Sequence, residues 1–332
     1  MRVLAAADKF KGTATAAQVC AAIGHACWSL NIDCTEIPMA DGGEGTLAVL
    51  GGANKTSTVT GPLGTPVQAQ WRLHRGTAVI EMAQASGLTL AGGPENNDPL
   101  AATTRGTGEL IDQALNAGAK KIIVCLGGSA TTDGGLGAIK AISTPARLRA
   151  IEFLVACDVD TTFVDAARVF APQKGATRAQ VELLTGRLEK LAQTFQRDFN
   201  VDVTAIPGSG AAGGLAGALT ALGANLIPGF DLVADETCFY DAVRNHDLII
   251  TGEGLLDDTS YEGKVVGNVQ QLAQDAGKQC LAIVGDVDAN MDSTQAESLK
   301  TISLTEVFGS DDAHRNTLRC IEDAMLQFLK NV

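Results

Sequence analysis

Four times in this chain a short apolar run breaks into acids, and in three of these the acids stand among glycines and hydroxyls. The breaks are Asp41–Thr46, Ser129–Gly135, Asp158-Val159-Asp160 and Gly252–Asp258. A run of five or so apolar residues followed by glycine and then a helix reads as a buried strand delivering its carboxyl end into a βα turn. Open α/β sheets place ligands at those strand ends. Glycine lets a ligand approach the backbone, and a following helix start favours an anion. Carboxylates beside an anion repel it unless a cation intervenes, and Mg²⁺ does this with one or two carboxylates plus phosphate oxygens. The pattern therefore predicts an α/β fold suited to phosphoryl chemistry.

The opening is βαβ: a strand to Ala7 and Asp8, a helix from about residue 14 to 30 with Thr13 or Thr15 as its cap, then a strand over 34–39. Near Lys55 the texture changes. Strands over 56–60, 67–73 and 78–82 follow one another through turns, which suggests a mixed sheet. A helix is expected over 107–117, strands over 121–126 and 153–157, a helix over 179–199 and a glycine-rich helical stretch over 208–223. Strands over 247–251 and 281–284 and a tail helix over 312–329 return to the opening rhythm. The organisation expected is a Rossmann-like parallel-sheet domain formed by both termini (1–55 and 240–332) with an inserted mixed α/β domain (56–239). A length of 332 residues suits two domains.

A net charge of −13 argues against nucleic acid or an anionic membrane as partner. The eight cysteines form no CxxC pair and the four histidines are scattered, so zinc spacing is absent and mostly buried thiols are expected. The N-terminus lacks a signal-like n-region and no apolar run reaches membrane length, so a cytoplasmic protein is expected.

Gly208-Ser209-Gly210-Ala211-Ala212-Gly213 spells G-x-G-x-x-G, with Asp231 beyond it, but Pro207 interrupts the strand entry and small residues continue past the turn. Backbone packing explains it as well as a dinucleotide. Gly263-Lys264 lacks the remainder of a P-loop, and no Gly-x-Ser-x-Gly occurs. Lys9, Lys11, Lys174 and Lys264 lie in or beside turns where a lysine can neutralise a transferring phosphoryl group.

Taken in order, Asp8–Thr13, Pro38–Thr46, Thr60–Pro66, Glu81–Leu88, Thr103–Leu110, Gly127–Gly135, Ala156–Asp160, Pro172–Thr177, Gly208–Leu215 and Thr251–Asp257 resemble the bacterial glycerate kinases of the two-domain type. The resemblance runs from the first strand to about Asp286. It implies transfer of the γ-phosphoryl of ATP to a hydroxyl of glycerate, with Mg²⁺, in the cleft between two domains. It implies that Asp158, with Asp133 or Asp160, holds Mg²⁺ or orients the acceptor. Backbone around Gly127, Gly128 and Ser129, or around Gly208, Gly210 and Gly213, would cradle ATP. Asp8 matches the family's catalytic acid after the first strand, Lys11 and Lys174 would steady the transferred group or the glycerate carboxylate, and Asp41 or Asp257 would take the proton. Glu44, Arg105, Thr132 and Glu253 are expected at the substrate. Homodimerisation is left open.

The chain departs from the family pattern at several points. Leu255 stands where the family usually has Arg, Lys9 where it has Ser, and Arg105 where it tends to have an aromatic residue. Thr161-Thr162 replaces Asn-Pro, and the stretch between Lys140 and Phe153 is shortened. A kinase of the same architecture with another hydroxy-acid or polyol acceptor, or a non-catalytic ligand-binding descendant, are the alternatives.

Overall fold

A computed structural model describes residues 1–292 and 298–331. Contacts divide the chain into two compact units, Met1–Asp41 with Phe230–Val332, and Gly42–Gly229. The sequence reading set these divisions near 55 and 240. The first unit is therefore built from both ends of the chain, with the second inserted.

The first unit carries five parallel strands: β1 (Arg2–Ala5), β2 (Asp33–Glu36), β9 (Leu248–Leu256), β10 (Gln279–Val287) and β11 (Lys300–Ser303), in the order β11-β10-β9-β1-β2. Val3, Leu4 and Ala5 are fully buried, as are Ile249, Ile250 and Ala282–Val284, because helices cover both faces of a parallel sheet. Helix Ala16–Ser29 starts at Thr15, whose side chain accepts from the amide of Gln18 while the Gln18 side chain accepts from the amide of Thr15. Its buried face, with Val19, Ile23 and Cys27, packs with Ile321 and Met325 of helix Thr317–Leu329. The expected tail helix is broken: Ser310–Arg315 and Thr317–Leu329 are separate helices joined at Asn316. Strand β11 was not anticipated, since four residues give too short a pattern to read.

The second unit holds the mixed sheet, in the order of β3 (Lys55–Thr60), β4 (Pro66–His74), β5 (Thr77–Glu81), β6 (Lys121–Cys125), β7 (Glu152–Ala156) and β8 (Asn225–Ile227). The first three pair antiparallel and the last four parallel. The turn after β3 works because Gly61 accepts a close backbone neighbour: a Cβ there would sit 2.6 Å from the carbonyl oxygen of Thr65. Helix Arg178–Phe199 begins with a second Thr–Gln capping box, at Thr177 and Gln180. It buries Leu184, Leu188 and Phe195 against Phe163 and Ala167.

The glycine-rich stretch differs from the expected helix. Helical structure starts only at Ala211, and Ala212, Gly213 and Gly214 all have positive φ. The chain enters this stretch from a 3₁₀ turn, Val203–Ala205, and not from a strand. That geometry removes the dinucleotide-fold reading of G-x-G-x-x-G. Of the cysteines, Cys20, Cys27, Cys125 and Cys320 are buried, whereas Cys238 is exposed. Among the described residues no helix is long and apolar enough to cross a membrane.

Candidate active site

Parallel pairing brings the acids of the first unit together at one end of the sheet. The amide of Asp8, just past β1, donates to the carbonyl of Gly252 in β9 at 2.9 Å, and the amide of Met39 donates to Ala7 at 3.0 Å. Asp8 and Asp41 thus follow neighbouring strands, and Glu253 lies in the last turns of β9. Burial pushes the Asp8 carboxyl up to about 6; Lys9, 3.6 Å away, pulls it down and Asp41 pushes it further up. Burial likewise pushes Glu253 up to about 7, against the pull of a Ser260 hydrogen bond and Lys264, and with added repulsion from Asp8 and Asp257. Oε1 of Glu253 and Oγ1 of Thr251, two residues apart on one strand, are buried without a hydrogen-bond partner. Residues i and i+2 of a strand share a face. A buried unpaired acceptor costs about 1–3 kcal/mol, and it persists where an incoming group satisfies it.

Asp257 has a different environment. Its carboxylate caps the 3₁₀ turn Asp258–Tyr261, and the Thr259 hydroxyl holds its pKa below the ordinary range. It is therefore a poor proton acceptor. Lys11 is exposed, and Leu255 projects into solvent with 47% of its surface exposed.

In the second unit the loop after β6 is built around two buried polar groups. Lys174 is 3% exposed; its Nζ donates to Ser129 Oγ at 2.8 Å and to the carbonyl of Thr131 at 2.7 Å. Burial brings its pKa down to about 7, with the charge of Asp133 opposing. The ammonium is thus already bound inside the protein, and its action falls on the loop. Asp133 is saturated too: its oxygens accept from Thr103, from the amide and hydroxyl of Thr104, and from the amides of Gly135 and Gly137. Those donors, all from residues 103–137, face both of its carboxylate oxygens.

Gly127 packs on the turn that carries Glu44; a Cβ there would lie 2.9 Å from Gly43 Cα. Gly128 has φ +72°. The amides of Gly127, Gly128 and Ser129 donate no hydrogen bond among the described residues. Gly210 and Gly213 instead press on protein backbone, with Cβ positions 2.4 Å from Thr162 O and 2.0 Å from Thr131 O, and Gly208 presses on Cys157 and Val159. Their small size serves packing.

Asp158 and Asp160 follow β7 on an exposed loop, and Asp158 Oδ1 accepts from the amide of Gly229 at 2.6 Å. Glu44 is exposed in the turn before helix Thr46–Val49. Arg105 and Thr132 line a cavity that includes none of Ser129, Lys174, Asp158 or Asp160. Among the described residues no group of three or more His, Cys, Asp or Glu could hold a metal ion.

Three supporting residues escape a sequence reading. Glu81, buried at the end of β5, accepts from the amides of Gly45 and Leu47 at 2.9 and 2.8 Å and so fixes the turn carrying Glu44. Thr104 ties Asp133 to the amide of Ala138. Asn97 donates to the carbonyls of Ala130 and Lys174. For Glu81 a signal existed: it is the one acid in an apolar strand, TAVIE.

Both α/β units place acids or glycine loops at the carboxyl ends of parallel strands, where open α/β sheets hold ligands. The model of the glycerate kinase family matches residues 3–146 and 143–332. The chain belongs to that family, and it is an enzyme of the kinase class. It is 36% identical to the glycerate 2-kinase of Escherichia coli, over 95% of this chain and 93% of that one. It is 39% identical to the glycerate kinase of Halalkalibacterium halodurans, over 86% and 85% of the two chains. A crystal structure described as glycerate kinase 2 of Salmonella typhimurium superposes with a TM-score of 0.85 at 33% identity, over 100% of this chain and 99% of that one. The family match changes segment at residues 143–146, within the shortened stretch between Lys140 and Phe153.

Proposed function

We propose that the protein phosphorylates a hydroxyl of glycerate with ATP, giving phosphoglycerate and ADP. Family membership along nearly the whole chain supports the acceptor. The observation that carries the chemistry is Glu253, a buried carboxyl near pKa 7 with an unpartnered oxygen. A general base works best when its pKa lies near the working pH. In this reading Glu253 takes the hydroxyl proton as that oxygen bonds to the γ-phosphorus. The bond from phosphorus to the β,γ-bridging oxygen breaks, and ADP carries away the electron pair. The amides of Gly127, Gly128 and Ser129 bind phosphate oxygens, and Lys174 holds that loop through Ser129 and Thr131. Asp8, Asp41 and the exposed Lys11 complete the charge around the reacting hydroxyl.

The carboxylates of Asp158 and Asp160, exposed and two residues apart, form a donor set of the kind Mg²⁺ takes together with phosphate and water. When bound there, Mg²⁺ would supply neutralisation of phosphate charge. Asp158 is oriented for that task by the Gly229 amide.

A coupled assay of ADP formation over a panel of hydroxy acids and polyols tests the reading. Glycerate-dependent turnover supports it. Turnover with a different acceptor alone would reassign the substrate, and ATP binding with no turnover on any acceptor would overturn the kinase reading.

A further inference from the structure

Helix Arg178–Phe199, helix Leu136–Ala141 and the segment 100–105 line a cavity of about 520 Å³ within the second unit that is open to solvent on one side. Its size is that of a small-molecule pocket, a class that spans about 300–1,000 Å³. Four cationic residues line it: Arg105, Lys140, Arg187 and Lys190. That convergence stands out in a chain of net charge −13. Lys140 and Lys190 make no ion pair among the described residues. Arg187 is held by one bond, Nη1 to the carbonyl of Leu100 at 2.9 Å, which leaves further guanidinium donors. Arg105 is paired with Glu109 at 2.9 Å, in an exposed ion pair of little net strength.

The interior differs from the rim. Thr132 is 1% exposed, and its Oγ1 has no hydrogen-bond partner. Leu188 and Leu191 supply an apolar wall. Asp133 is the single acid among the lining residues, and its oxygens are already filled by Thr103, Thr104, Gly135 and Gly137. It therefore repels an anion less than a bare carboxylate would.

We infer that this cavity is a second ligand site, distinct from the reaction site, that takes a small organic phosphate. The lysines and arginines hold the anionic groups, the Thr132 hydroxyl meets a polar atom of the ligand, and the leucines cover its carbon skeleton. An inorganic anion would use the rim alone and leave the wall and the hydroxyl unmet.

The test is isothermal titration of the full-length protein with 3-phosphoglycerate, phosphoenolpyruvate and glycerol 3-phosphate, alongside inorganic phosphate. It is run on the wild type, the double variant Arg187→Ala/Lys190→Ala and Thr132→Val. Arg187 and Lys190 are exposed helix positions, so the double variant should fold. At least one organic phosphate is expected to bind the wild type, at least tenfold more weakly to the double variant and several-fold more weakly to Thr132→Val. Glycerate turnover by the double variant, without added ligand, should stay within twofold. Absence of binding by all three organic phosphates, or binding unaffected by the substitutions, would overturn the site. Inorganic phosphate binding as tightly as the best organic one would overturn the ligand class. Loss of glycerate turnover in step with ligand affinity would merge the cavity with the reaction site. Because binding is read without turnover, failure here is separable from failure of the kinase reading.

Discussion

Glu253 shows how one residue carries two measurable consequences. Its carboxyl has a higher pKa in the fold than in the unfolded chain, about 7 against 4.5. Between those values the folded state holds the extra proton, so stability contributed by this group falls as pH rises from about 4.5 and is fully lost above about 7. Glu253→Gln is expected to be more stable than the wild type at pH 8, by roughly 3 kcal/mol at most, with the difference vanishing near pH 4. Denaturant titrations at the two pH values check this. The same substitution removes the proposed base, so kcat should fall at least a hundredfold. An unchanged kcat would remove Glu253 from the chemistry. Wild-type kcat should rise with pH through about 7 as the base ionises. At Asp158, replacement by Asn keeps an oxygen for the Gly229 amide but removes the charge. It is expected to lower kcat far more than it lowers the melting temperature, as steady-state assay and thermal unfolding would show.

At the scale of elements, the glycine loops differ in their packing in a way their sequence does not disclose. Gly127–Ser129 and Gly208–Gly213 look alike as strings, yet Gly213 lies at φ +68° with its Cβ position 2.0 Å from Thr131 O. Gly213→Ala is expected to destabilise the protein by about 2–4 kcal/mol, measured by urea unfolding; a change under ~0.5 kcal/mol would contradict the close packing. The shortened stretch is likewise explained by local contacts. Ser143 donates through its amide and hydroxyl to Asp112, and Arg147 Nη1 donates to Asn116 at 2.7 Å. These bonds stitch the 3₁₀ turn Pro145–Ala150 to helix Arg105–Asn116, so six residues lead directly into β7.

For the molecule as a whole, the proposed chemistry needs charge neutralisation that an acidic chain supplies poorly by itself. EDTA is therefore expected to abolish glycerate-dependent ADP formation, and added Mg²⁺ to restore it. Full turnover in EDTA would contradict the metal requirement. Most of the parallel strands and the acids that follow them are legible in the sequence, because an apolar run ending in glycine or acid suits a buried strand entering a βα turn; the short strands 225–227 and 300–303 are not. The inserted mixed sheet was legible in the same way, from short alternating runs such as 67–73. The resemblance, resting on ten blocks in fixed order, named the family. Which acid is a base and which a cap could not be read from sequence. Asp257 and Glu253 sit four residues apart in one motif, but a Thr259 hydroxyl lowers the first while burial raises the second. The donors from residues 103–137 around Asp133, and the burial of Lys174 beneath Ser129, leave no mark in the local sequence. Composition and periodicity act locally along the chain, so they determined strands, helices and where acids emerge. Desolvation and hydrogen-bond partners depend on segments far apart in sequence, so protonation and hydrogen bonding were decided only by the tertiary structure.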